Sequence, residues 1–94
     1  MFNVTIHRDV YGDQRVRFVQ DVELPFPPFV GLWLVSNQQR VAVRIDKIVR
    51  LDLDEQRFYC EMDPFVSEDE TTAREQRIEM VEWYGWRLFG INSR

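Results

Sequence analysis

Residues 40–62 read RVAVRIDKIVRLDLDEQRFYCEM, and the placing of apolar side chains along them decides the fold class. Val41, Val43, Ile45, Val49, Leu51 and Leu53 stand at odd positions, with Lys47 breaking the series. A period of two is that of a half-buried strand, because successive side chains point to opposite faces. The even positions Ala42, Arg44, Asp46, Arg50 and Asp52 are mostly charged and are expected to meet water. Asp54, Glu55 and Gln56 then interrupt the pattern, and Phe58, Cys60 and Met62 resume it. The stretch therefore reads as a long β-hairpin, expected in the middle of a sheet.

The chain before this hairpin is also strand-like. Phe2, Val4 and Ile6 alternate with Asn3, Thr5 and His7, and after a turn at Tyr11-Gly12-Asp13-Gln14 the alternation continues through Val16, Phe18, Val22 and Leu24. Gln20 is the exception on that face, and Gly12 is free to take a positive φ in the turn. Pro25-Phe26-Pro27-Pro28-Phe29 must leave the ladder, since proline has no backbone donor and holds the preceding residue extended. Residues 29–35, FVGLWLV, are apolar on both parities and predict a strand covered on both faces, with Gly31 marking a bulge or a close approach. Ser36-Asn37-Gln38-Gln39 reads as the polar turn into the hairpin.

Helix signals come only after Asp63-Pro64. Ser67 and Glu70 have the spacing of a capping box, and Glu68 and Asp69 complement a helix dipole, so a helix is predicted from about Glu68 to about Tyr84, stopped by Gly85. Its first half is polar all round. Ala73, Ile78, Val81 and Tyr84, with Met80 and Trp83 beside them, form the face it can bury. Trp86, Leu88 and Ile91 then suggest one more strand, interrupted at Phe89 and Gly90.

Ninety-four residues make a single domain over 1–94, which buries roughly 65% of the surface of the unfolded chain. The expected class is α+β: a five- to six-stranded, bent antiparallel sheet or partly closed small barrel, with one C-terminal helix packed across it. A thin two-sheet sandwich is the alternative. The chain lacks βαβ spacing, so a parallel sheet is not expected. Cys60 is the single cysteine, and His7, Arg8 and Asp9 stand where a signal peptide needs an apolar run, so a reducing, cytoplasmic setting is expected. No apolar segment reaches the ~20 residues of a membrane span.

Charge is unevenly distributed beneath a net value of −4. Residues 1–50 carry seven basic and five acidic groups, whereas residues 51–94 carry five basic and eleven acidic ones. Eight carboxylates and only Arg57 lie between Asp52 and Glu70, a run that repels phosphate. Eleven of the twelve basic residues are arginine, suited to bidentate pairing with carboxylates.

Catalytic sets are thin. His7 and Cys60, the one histidine and the one cysteine, fall on opposite strand parities, which separates a core thiol from a surface imidazole. No Cys/His cluster, calcium-loop spacing or phosphate-cradling glycine motif is present, so no enzyme activity, metal or cofactor is expected. Arg40 and Arg44 form an R-x-x-x-R that resembles the start of the PilZ cyclic-dinucleotide barrel. That family's D-x-S-x-x-G is absent downstream, and the pair reads as part of a salt-bridged face with Asp46 and Asp52.

Three partner readings remain. The first is a non-enzymatic protein-interaction domain that meets another protein, or itself as a homodimer, through Phe26, Phe29, Trp33, Trp83, Trp86 and Phe89. The second is an acidic decoy in which Asp63, Glu68, Asp69 and Glu70 occupy the basic groove of a nucleic-acid-binding protein. The third is an OB-like module stacking single-stranded nucleic acid on Tyr11 and Tyr59 beside Arg17, Arg44 and Arg50, disfavoured by the net charge.

Overall fold

In the computed structural model, which describes residues 1–35, 43–82 and 85–93, seven strands and one helix form a curled half-barrel. The elements are β1 (Phe2–Tyr11), β2 (Gln14–Leu24), β3 (Trp33–Leu34), β4 (Val43–Asp52), β5 (Arg57–Met62), β6 (Phe65–Val66), α1 (Glu70–Glu82) and β7 (Arg87–Ser93). This is the expected α+β class with one C-terminal helix. The strands run β3-β4-β5-β1-β2-β7, and β6 adds to the far end of β1.

The pairing directions hold two departures from the antiparallel expectation, both on β1, whose short partner β6 runs parallel to it (Val10↔Phe65). β1 pairs antiparallel with β2 but parallel with β5, in the register Val4↔Phe58 and Ile6↔Cys60. No βαβ unit is involved. After β2 the chain turns back through the proline segment and β3, so that the β4–β5 hairpin reaches the free edge of β1 with β5 in the same sense. The centre of the sheet is therefore β1 with β5, and β4 lies towards the edge.

Alternation fills one face as predicted. Val4, Ile6 and Val10 of β1, Val16, Phe18 and Leu24 of β2, and Cys60 and Met62 of β5 are all buried. In β4 only Val43 and Ile45 keep the expected parity. Extra residues between Ile45 and Lys47 and between Ile48 and Arg50 shift the register twice. Each extra residue reverses the faces, so Ile48 turns inward while Val49 is left 48% exposed on the outer side.

Arg8 holds an inward position of β1 and is only 5% exposed. Its Nε–H donates to the Asp63 backbone carbonyl at 3.0 Å. Burial lowers its pKa, opposed by the neighbouring Asp63 charge.

The helix differs from its sequence signal for a local reason. The helix starts at Glu70, because Ser67 is still engaged with β1, its N–H donating to the Tyr11 carbonyl at 3.2 Å. Asp69 is the cap instead, accepting from the Thr71 N–H at 3.0 Å and the Thr72 hydroxyl at 2.8 Å. The helix buries Ala73, Gln76 and Met80, leaving Ile78 and Val81 about half exposed. Trp83 and Tyr84 lie outside the described residues, as does the 36–39 turn.

Gly12 does not adopt a positive φ. A Cβ there would run into the Glu70 carboxylate and stand 2.9 Å from the Ala73 Cβ. Glycine at this turn thus admits the first turn of α1, and Glu70 accepts the Asp13 N–H at 2.8 Å across the junction. At the other end, the Trp86 N–H returns to the Met80 carbonyl at 2.9 Å, placing the indole in the core at 2% exposure.

Candidate functional site

The segment expected to be a strand covered on both faces is neither fully a strand nor covered. Only Trp33 and Leu34 join the ladder, opposite Arg44 and Val43. Gly31, at φ 95°, turns the chain just before them, and the Leu32 N–H closes that turn on the Phe29 carbonyl at 3.2 Å. Two further bonds fasten the loop to β4: Gly31 N–H to the Ile45 carbonyl at 2.8 Å, and Ile45 N–H to the Leu32 carbonyl at 2.9 Å. Leu32 and Leu34 pack towards the core, while the residues between and around them face out.

The outcome is an apolar surface held on a fixed backbone. Phe26, Phe29, Val30, Trp33 and Val35 are 43, 52, 61, 53 and 71% exposed. The rings of Phe26 and Phe29 meet at 6.1 Å, and the Arg44 guanidinium lies 5.7 Å from the Trp33 ring centre. A groove of about 330 Å³ runs between this segment and the sheet, with Ile6, Val22 and Leu24 on one side and Phe26, Trp33 and Val35 on the other.

The other aromatics of the predicted surface go elsewhere. Trp86 is a core residue and offers no contact surface, a correction that follows from the helix closing over it. Phe89 is 64% exposed but belongs to the outer face, where its ring meets His7 edge-on at 5.1 Å. Trp83 lies outside the described residues. The structure therefore keeps Phe26, Phe29 and Trp33 together and separates them from Trp86 and Phe89.

The four acidic candidates do not form a free patch. Asp63 accepts the Arg44 N–H at 2.6 Å. Asp69 caps the helix, and its pKa is lowered chiefly by the Thr72 hydroxyl. Glu70 bonds Arg77 at 2.8 Å and the Asp13 N–H, with Arg77 the main cause of its lowered pKa. Glu68 is exposed. Three of the four carboxylates are thus engaged within the chain, Asp63 and Glu70 at junctions between elements and Asp69 as a helix cap, a role invisible in a count of charges.

The outer face carries a second, more polar concavity. Arg17 is bonded to Asp9 at 2.7 and 3.1 Å and reaches Glu61 at 3.5 Å. Its pKa is raised first by the Asp9 hydrogen bond. Asp21 gathers Thr5, Arg57 and Arg87 at 2.6, 3.4 and 3.1 Å. A cleft of about 250 Å³ is lined by Arg17 and Glu61 of the first cluster together with His7, Arg50, Tyr59 and Phe89. The Arg50 guanidinium stacks 4.2 Å from the Tyr59 ring centre. Burial and the adjacent Arg17 lower the His7 pKa from 6.5, favouring neutral imidazole. Of its lining, the sequence puts Tyr59, Arg17 and Arg50 in a stacking set, but not Val49 and Phe89, which reach the cleft through irregularities in β4 and β7 that parity cannot register.

His7 and Cys60 stand on opposite faces of the sheet, and burial pushes the Cys60 thiol up to about 11. Among the described residues, no three His, Cys, Asp or Glu side chains converge as a metal site would require. Among them too, no helix is long and apolar enough to cross a membrane. No family model, curated protein or solved structure matches this chain.

Proposed function

We propose that this domain is a non-enzymatic protein-interaction module whose partner docks on the surface formed by Phe26, Phe29, Val30, Trp33 and Val35. The observation that carries this reading is five large apolar side chains, each at least 43% exposed, within ten consecutive residues fastened to β4 by backbone hydrogen bonds. Scattered apolar residues are ordinary on protein surfaces, whereas a contiguous patch is a mark of binding. A fixed backbone lowers the entropy lost when such side chains are engaged. Trp33 with Arg44 against its ring is the strongest anchor, since tryptophan and arginine dominate interface energetics.

The experiment is capture of partners on the tagged domain, with and without nuclease, comparing wild type with Trp33→Ala and Phe29→Ala. The expected result is a stoichiometric protein that survives nuclease and binds the Trp33→Ala domain at least roughly tenfold more weakly, as for an interface hot spot. Unchanged capture by both folded variants would refute the surface.

A second reading rests on Arg50 stacked over Tyr59 beside Phe89: the outer cleft would stack an unpaired base. Oligonucleotide titration at low salt that leaves Tyr and Trp emission unchanged removes it. The acidic-decoy reading is less well supported, because Asp63, Asp69 and Glu70 already use their oxygens within the chain.

A further inference from the structure

Two charged side chains of opposite sign meet in the outer cleft at a spacing set by β5. Tyr59 and Glu61 alternate onto one face of that strand, ~7 Å apart along it. Arg50 stands opposite Tyr59 in the β4–β5 register, and His7 stands opposite Glu61 in the β1–β5 register. The Tyr59 hydroxyl donates to Glu55 at 2.9 Å, and the Arg50 guanidinium rests 4.2 Å from the centre of the Tyr59 ring. Such stacking orients a guanidinium without using its N–H groups. Among the described residues Arg50 has no carboxylate partner.

Glu61 is the acceptor of the pair. Its side chain is 37% exposed, and its hydrogen bond among the described residues is a long one to Arg17, 3.5 Å against the 2.7 and 3.1 Å that Arg17 gives Asp9. The cleft thus offers a donor-only guanidinium over Tyr59 and an acceptor-only carboxylate one strand repeat further on, with the exposed side chains of Phe89 and Val49 as apolar walls. A planar base meets both groups only if one edge carries two adjacent donors and another carries two adjacent acceptors. Guanine alone of the four bases does so: N1–H and N2–H face a carboxylate, and O6 and N7 face a guanidinium.

We propose that the outer cleft selects guanine, with Glu61 accepting from N1–H and N2–H, Arg50 donating to O6 and N7, and the face of the base covered by Phe89 and Val49. Selection of guanine rests on the second functional reading, that this cleft stacks an unpaired base, and it does not involve the Trp33 surface. The same recognition serves a free guanine nucleoside or an unpaired guanine in a strand.

The test is titration of the ¹⁵N-labelled full chain with guanosine, adenosine, cytidine and uridine, and with inosine and 7-deazaguanosine, which lack the N2 amine and the N7 acceptor. Guanosine is expected to shift the amides of residues 7, 50, 59, 61 and 89 and to bind at least roughly tenfold more tightly than the other three common nucleosides. Inosine and 7-deazaguanosine should each lose roughly threefold to tenfold. Glu61→Gln should abolish the preference for guanosine over inosine, and Arg50→Gln the preference over 7-deazaguanosine. Equal binding of the four common nucleosides would overturn guanine selection while base stacking stands, whereas no shift with any of them at millimolar concentration would overturn both. Unchanged preferences in both folded variants would also overturn the proposal. A thymidine heptamer with one central guanine separates the two sources: tighter binding than guanosine assigns an unpaired strand, weaker binding a free nucleoside, and guanine selection stands in either case.

Discussion

Arg8 sits between Ile6 and Val10 on the core side of β1, and its position is plain from parity, while its partner is not. The acceptor is a backbone carbonyl 55 residues away, which no side-chain pattern encodes. The long aliphatic stem fills core space as the charge reaches Asp63, so volume and charge can be separated by substitution. Arg8→Ala is expected to cost about 2–4 kcal/mol in urea unfolding, through a cavity and an unmet carbonyl. Arg8→Met, which keeps most of the volume, should stay within about 1 kcal/mol of wild type. Equal losses in the two variants would show that the charge, not the packing, matters. His7 makes a separate prediction at this scale. Its folded pKa lies below 6.5 through burial and Arg17. A depressed folded pKa gives stability that is present above 6.5 and lost as pH falls through the folded value. His7→Gln should therefore flatten the stability profile over the window just below pH 6.5; an unchanged profile would contradict the assignment.

Elements were legible wherever one face alone alternates, as in β1 and β2, and became illegible where a single extra residue reverses the faces. Lys47, which breaks the odd series, is the one trace in the sequence of the irregularity after Ile45. The FVGLWLV segment failed for a different reason: a run apolar on both parities is compatible with a buried strand or with an exposed binding loop, and hydropathy alone does not separate them. The helix boundary depended on a tertiary bond from Ser67 to Tyr11, beyond any capping rule. The junction of α1 with the first hairpin is testable. Gly12→Ala should destabilise the fold by about 1–3 kcal/mol, since the new methyl meets Ala73 and Glu70. Combining it with Ala73→Gly should cost less than the two single losses added, because the second change removes one of the colliding groups. Additive losses in thermal or urea unfolding would mean that the contact is relieved elsewhere.

Across the whole molecule, faces could be read from the sequence but neighbours could not. Alternation says which side chains point inward; it carries no record of β5 lying parallel to β1 or of β7 completing the sheet beside β2. The same limit scattered the aromatic set, since Trp86 and Phe89, three residues apart, end in the core and on the outer face. Of that set, Phe26, Phe29 and Trp33 stay together as an apolar surface at the β3 end of the sheet. Hydroxyl-radical footprinting of the free domain and of its captured complex, read residue by residue by mass spectrometry, tests that surface most directly. Protection of Phe26, Phe29 and Trp33 on complex formation, with Phe89 still reactive, is the predicted result; unchanged reactivity at those three with protection elsewhere would contradict it.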